Sequence, residues 1–283
     1  MLLGRPVNSG GVKTVDLVGR AGRHLAWFVV IAWSLAPLFV RAQDEQWESL
    51  IRVAESAYEH GDFHEALKKA EDALGVAEVF GEKDERYIRT LVVLGVYNRR
   101  LERLGAAESH YQRALQLYEE TLGPNHENVA AVLANLGIIK NMQTRYSEAE
   151  AYYRRALSID ELVYGPDHPN VASDLSNLAM TYKGSGRSDD AELALKRALS
   201  IYEKAGETNN AHMANTLSAL GTLYLDQGRY KDAEPLLERA LRMFTALYGS
   251  DHKYVWYVQS RLTGIERGLG RSTADPEKVG FER

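Results

Sequence analysis

Residues 137–157 read GIIKNMQTRYSEAEAYYRRAL, and three of them, Gly137, Ala149 and Ala156, decide the fold because they recur. The same phrase, a small residue followed by Ala after twelve positions and Ala after seven more, returns as Gly95, Ala107, Ala114, as Ala179, Ala191, Ala198 and as Gly221, Ala233, Ala240. Each set is displaced by 42 residues from the last, and a fifth copy (Ala54, Ala66, Ala73) lies 41 residues upstream. A period of this length means a stacked array of identical supersecondary units, and such arrays present long concave surfaces instead of enclosed chambers.

Each unit reads as two helices. In the quoted copy Leu133, Leu136, Gly137 and Lys140 sit at helical spacing, Thr144 to Ser147 interrupts, and Ala149, Tyr153, Ala156 and Leu157 resume it. Gly or Ala at a helix crossing lets the backbones approach to about 8 Å, so Leu in place of Ala149 or Ala191 is expected to destabilise the array by roughly 1 to 3 kcal/mol. The units are joined by Gly123-Pro124-Asn125-His126, Gly165-Pro166-Asp167-His168-Pro169 and Gly249-Ser250-Asp251-His252. The Gly is expected to end its helix in the left-handed conformation, the Pro to prevent continuation, and the Asn or Asp to cap the next helix. After the Ala179 copy the turn departs, with Gly206-Glu207-Thr208-Asn209-Asn210 in its place. The expected architecture is five antiparallel helix pairs from about Trp47 to Tyr248 and a lone helix from about Lys253 to Arg267.

The small-Ala-Ala spacing resembles the tetratricopeptide repeat. The 42-residue period, the Asn-Leu-Gly/Ala opening and the Gly-Pro-Asp-His-Pro turn are similar to its kinesin-light-chain subtype, from about Gln46 to Val255. The resemblance implies an all-α, right-handed superhelical solenoid of antiparallel helix pairs with a C-terminal capping helix.

The N-terminus reads differently. Residues 25–40 (LAWFVVIAWSLAPLFV) form an uncharged apolar run of sixteen, preceded by Arg20 and Arg23 and followed by Val40-Arg41-Ala42. That is a basic region, an apolar region and a small-x-small cleavage site, so residues 1–42 are expected to be a signal peptide and the protein to be exported, periplasmic or secreted. The competing reading is an uncleaved membrane anchor, although sixteen residues fall short of the roughly 20 that span a bilayer. Domain organisation is thus a leader over 1–42, the repeat domain over 43–268 and a disordered tail over 269–283, which lacks periodicity. Without its leader the chain loses five basic residues and one acidic one, leaving 29 against 38, a net charge of −9. Such a surface repels nucleic acid, and no basic stripe with interleaved aromatics offsets it.

Reactive chemistry is sparse. The sequence has no Gly-x-Gly-x-x-Gly, P-loop, His-Glu-x-x-His or Gly-x-Ser-x-Gly and no Cys, so no enzyme activity and no cofactor are expected. His126, His168 and His252 fall in different repeats, too far apart to share a metal ion, and are assigned to the turns, each ring bonding to backbone near the start of the next helix. Glu108, Glu150, Glu192 and Glu234, with Arg113, Arg155, Arg197 and Arg239, read as one surface or inter-repeat contact made four times. Most of the tyrosines recur at fixed repeat positions and read as packing.

What remains is the groove. In the repeat family the inner surface comes from fixed first-helix positions, which carried onto this chain give Arg89, Arg99 and Arg100, then Asn135 and Asn141, then Ser176, Asn177 and Lys183, then Asn215 and Ser218. Asn135 and Asn177 match an Asn that contacts peptide backbone in the kinesin-light-chain subtype. An Asn amide offers both donor and acceptor and can hold an extended peptide regardless of its sequence. The three arginines would favour an acidic segment at one end. The expected function is a non-catalytic protein–protein interaction scaffold that binds an extended peptide or partner helix in its concave groove. The alternative is a regulatory or accessory subunit of a separate enzyme complex. Either way the partner is a protein or peptide, with no nucleic acid, and with a membrane only if the N-terminal segment stays uncleaved.

Overall fold

In the computed structural model, residues 39–206 and 210–271 are described; most of the expected leader, residues 207–209 of the variant turn, and 272–283 of the expected tail lie outside them. Helix α1 covers residues 39–59. It is followed by α2 (Phe63–Ala77), a 3₁₀ turn (Glu78–Phe80), α3 (Glu85–Arg100), α4 (Leu104–Leu122), α5 (Glu127–Met142) and α6 (Tyr146–Tyr164). Then come α7 (Pro169–Gly184), α8 (Ser188–Lys204), α9 (Ala211–Asp226), α10 (Tyr230–Tyr248) and α11 (Lys253–Gly268). There is no strand among the described residues. Consecutive helices pack antiparallel, and contacts run only to near neighbours along the chain, as a right-handed superhelical solenoid requires.

The repeated small residues sit where the helices of a pair cross. A Cβ added at Gly137 would stand 2.7 Å from the Tyr153 ring, and one at Gly95 would stand 2.5 Å from that of Tyr111. At the equivalent place α7 carries Ala179 opposite Leu195 of α8, whereas α9 keeps Gly221, where an added Cβ would stand 2.7 Å from Leu237. Tyr111, Tyr153 and Tyr202 are among the largest fully buried side chains, so these tyrosines are core.

The turns between units form by different chemistry from that expected. Gly123, Gly165 and Gly249 have φ of 90, 90 and 84° but ψ near 160°, a glycine-only extended conformation and not the left-handed helical one. The caps fall one residue later than the Asn or Asp: His126, His168 and His252 each accept, through Nδ1, the N–H two residues on, at 3.2, 3.2 and 3.3 Å. Asn210 caps α9 in the same way at 2.6 Å, which explains how the variant turn still starts a helix.

The repeated carboxylates pair between repeats, but not with the arginines of the same phrase. Glu150 binds Arg187 and Glu192 binds Arg229, at 3.0 and 2.8 Å, and Glu234 binds Arg271. The repeated arginines form a second ladder, Arg155 with Glu119, Arg197 with Glu161 and Arg239 with Glu203. At Glu108 the partner is Lys140, 2.6 Å away and almost fully buried.

Candidate functional site

A large hollow lies on the face built by the first helices, between α7 and α9, with Ile138 of α5 and Tyr257 of α11 at its ends and Ala191, Leu195 and Tyr202 of α8 as its floor. Its volume is about 770 Å3, within the range of pockets that hold ligand groups. Five of the ten candidate residues, Ser176, Asn177, Lys183, Asn215 and Ser218, line it together. They converge because each lies on the stripe of its first helix that faces away from that helix's own partner.

Several polar groups around the hollow are already engaged. The Ser173 and Tyr202 hydroxyls lie 2.9 Å apart, as do those of Ser176 and Thr216. At its rim Lys183 of α7 is ion-paired with Asp226 of α9 at 2.6 Å, both half exposed. Others are not engaged. The side-chain amides of Asn177 and Asn215, the Ser218 and Tyr257 hydroxyls and the His212 ring make no hydrogen bond among the described residues, and Thr222 Oγ1 is buried without a partner. Met180, Ala219 and Leu223 add apolar surface.

The other five candidates lie towards the N-terminal half and do not join this hollow. Asn135 is tied down: its Nδ2 donates to the Ala131 carbonyl at 2.9 Å and its Oδ1 accepts from the Tyr111 hydroxyl at 3.4 Å. Asn141 cross-links α5 to α7 by donating to Thr181 Oγ1 at 2.9 Å. Two of the arginines turn towards the first repeat, Arg89 to Glu55 at 3.5 Å and Arg100 over the Phe63 ring at 4.8 Å. Arg99 keeps a buried Nε without a partner. Its proximity opposes the effect of burial on Tyr111, whose hydroxyl is still pushed up to about 12.

Lining residues outside the ten candidates include Tyr257, Thr222 and Tyr202. Tyr257 could have been found, since it stands 42 residues after Asn215 in the same register. Thr222 shares its first-helix position with Met180, another residue at the hollow. Tyr202 belongs to a second helix, and nothing in the sequence signals that its hydroxyl reaches the groove floor. Among the described residues no group of three or more His, Asp or Glu side chains could hold a metal ion.

Tetratricopeptide-repeat profiles match residues 48–120, 96–162, 143–204 and 213–253. The chain belongs to the tetratricopeptide repeat family, whose arrays serve as protein-interaction scaffolds and are generally non-catalytic. Among solved structures it is similar to BtubC (BKLC) from P. vanneervenii, at 26% identity and a TM-score of 0.63 over 84% of this chain and 94% of that one. The kinesin light chain-like repeats of Podosopora anserina share the fold at 16% identity and a TM-score of 0.60, over 71% and 95% of the two chains. A Rap protein complexed with competence and sporulation factor shares it at 20% identity and 0.55, over 80% and 65%. No curated protein sequence matches the chain.

Proposed function

We propose that this protein is a non-catalytic scaffold that holds an extended segment of a protein partner along its concave face, with the hollow between α7 and α9 as the principal grip. The observation that carries the reading is the pair of unpartnered amides, Asn177 and Asn215, which line one hollow from two successive first helices. An extended chain presents N–H and C=O groups at about 3.3 Å per residue, and amides from successive first helices can pair with both. The Rap protein of similar fold, solved in complex with competence and sporulation factor, supports a partner-binding role. The acids pushed strongly upward among the described residues, Asp160 and Asp174, do not line the hollow, which argues against acid–base chemistry there.

The test is a selection of unconstrained peptides from a displayed library on the purified protein, with the selected peptide's affinity measured by calorimetry. Asn177→Ala combined with Asn215→Ala is expected to weaken binding about tenfold or more at an unchanged melting temperature, because each loss leaves peptide groups unpaired at about 1 to 3 kcal/mol. Asn135→Ala should weaken it less, since that amide is committed to its own helix. Equal affinity for wild type and the double variant would place the binding surface elsewhere.

We further propose that the scaffold works outside the cytoplasm, on the strength of the basic, apolar and small-x-small sequence of residues 20–42. N-terminal sequencing of the protein from the native cell is expected to start at Gln43. Recovery in the membrane fraction with residues 25–40 still attached would mean an anchor.

A further inference from the structure

Two buried positions carry carboxylates in one repeat junction only. Asp160 on α6 occupies the place held by Tyr118, Tyr202 and Phe244 in other units, and Asp174 on α7 the place held by Thr90, Val132, Thr216 and Val258. All of these residues are buried, and so are the two acids, at 8% and 5% exposure. Where the equivalent residue is Thr90 or Thr216, its hydroxyl donates to a carbonyl one turn back, at 2.6 or 2.9 Å. Asp174 has no such outlet, and its Oδ2 is buried without a partner. A carboxylate that replaces a core residue and lacks a donor is strongly disfavoured as an ion.

Neither acid has a Lys or Arg acting on it. On α6, Asp160 and Glu161 act on Asp174, and Tyr153 lies near it. From α5, Glu127 adds negative charge near Asp160, and the only group favouring that ion is His168, the half-buried cap of α7, whose ring stacks on Tyr164 at 4.5 Å. From α8 and α9 the hydroxyls bonded to α7 are those of Tyr202, on Ser173, and Thr216, on Ser176, along the stripe of α7 that lines the hollow and away from Asp174.

We propose that Asp160 and Asp174 form a proton-binding joint between α6 and α7, which clamps the middle of the array while they are protonated and slackens when both ionise. The joint lies between the half of the groove that carries Asn135 and the half that carries Asn177. First-helix cross-links such as Asn141–Thr181 span it, so slackening alters the spacing of the two halves.

Burial first, then the charges of Asp160 and Glu161, push the Asp174 carboxyl up to about 8. Burial likewise pushes Asp160 up to about 6, with His168 opposing and Glu127 adding. In the unfolded chain both titrate near the ordinary aspartate value of about 3.9. Between that value and the folded ones the native state binds the extra protons. Stability is therefore greatest at the acid end, falls as pH rises through about 6 and then about 8, and is level beyond.

Thermal unfolding of the full chain between pH 5 and pH 9 tests this. The wild-type midpoint is expected to fall by about 5 °C or more as pH rises, and Asp174→Asn to remove most of the fall above pH 6. Asp160→Tyr, which restores the residue of the neighbouring units, should remove the lower part. Because Asp174→Asn itself could fail to fold, amide hydrogen exchange on the wild type supplies an independent reading. Going from pH 5.5 to pH 8.5, corrected for intrinsic rates, protection should drop in α6 and α7 relative to α3 and α10. A pH slope shared equally by wild type and variants, or a uniform change in protection along the array, would overturn the proposal.

Discussion

Glu108→Ala is expected to destabilise the protein by about 3 kcal/mol, more than any other single removal of charge in the array. The Lys140 side chain is only 3% exposed, and its ammonium is held by Glu108 at 2.6 Å and, more weakly, by Glu148 at 3.6 Å. Burial pushes the Glu108 carboxyl up, but hydrogen bonds from Lys140 and Gln143 outweigh it and leave it below the ordinary glutamate value. Removing Glu108 strands a buried cation, and breaking a buried pair from one side costs about 3 to 5 kcal/mol; the lower figure applies because Glu148 remains. The neighbouring units show what a neutral solution looks like: Lys140 stands where they carry Tyr182 and Tyr224, and the Tyr224 hydroxyl donates to Glu192 at 2.9 Å. Combining Glu108→Ala with Lys140→Met should therefore recover most of the loss, since no charge is then left without water or partner. Denaturant unfolding of the two single variants and the double variant gives the cycle. A loss below about 1 kcal/mol in Glu108→Ala, the range of an exposed pair, would show that Lys140 reaches solvent on its own.

The fold was legible because the 42-residue period constrains every helix at once: a helix face repeated four times without insertion leaves few alternatives to a stacked array. The details of the turns were not. Gly followed by Pro-Asn or Pro-Asp is compatible with several backbone paths, and only the geometry shows the mirror-extended glycine; the rings of His126, His168 and His252 were expected to bond to backbone near the next helix, but not to replace the Asn or Asp as its cap. Half of the candidate groove was readable for the same reason as the fold, since Ser176, Asn177, Lys183, Asn215 and Ser218 share one stripe in two adjacent copies. Arg89 and Arg100 behave otherwise because aromatic rings 42 and 37 residues earlier, Trp47 and Phe63, attract their guanidinium groups, and register within one helix carries no trace of that. The Asp160 and Asp174 substitutions are visible in the aligned copies, but a departure from a repeat becomes informative only once its burial is known.

Ala149→Leu should cost about 3 kcal/mol, at the upper end of the overpacking range, and the reason separates it from the formally equivalent Ala191→Leu. Ala149 is fully buried on α6, which crosses α5 beside Gly137, where the Tyr153 ring already stands within 2.9 Å of where a Cβ would be. That ring is itself buried, so neither partner has room to move, and the added isobutyl group must push the helices apart. Ala191 is equally buried but lines the hollow between α7 and α9, where the longer side chain can extend into open space. Its cost should be nearer 1 kcal/mol, with the groove narrowed as a side effect. His168→Ala provides the scale for both. It removes a cap and a stack on Tyr164 from a half-buried turn, and helix caps are worth about 1 kcal/mol. Unfolding free energies in the order Ala149→Leu, then Ala191→Leu and His168→Ala together, would place the rigid seam of the array at the α5–α6 crossing. An Ala191→Leu variant as damaged as Ala149→Leu would mean that the hollow's floor is as unyielding as the core, and that the groove is preformed at that point.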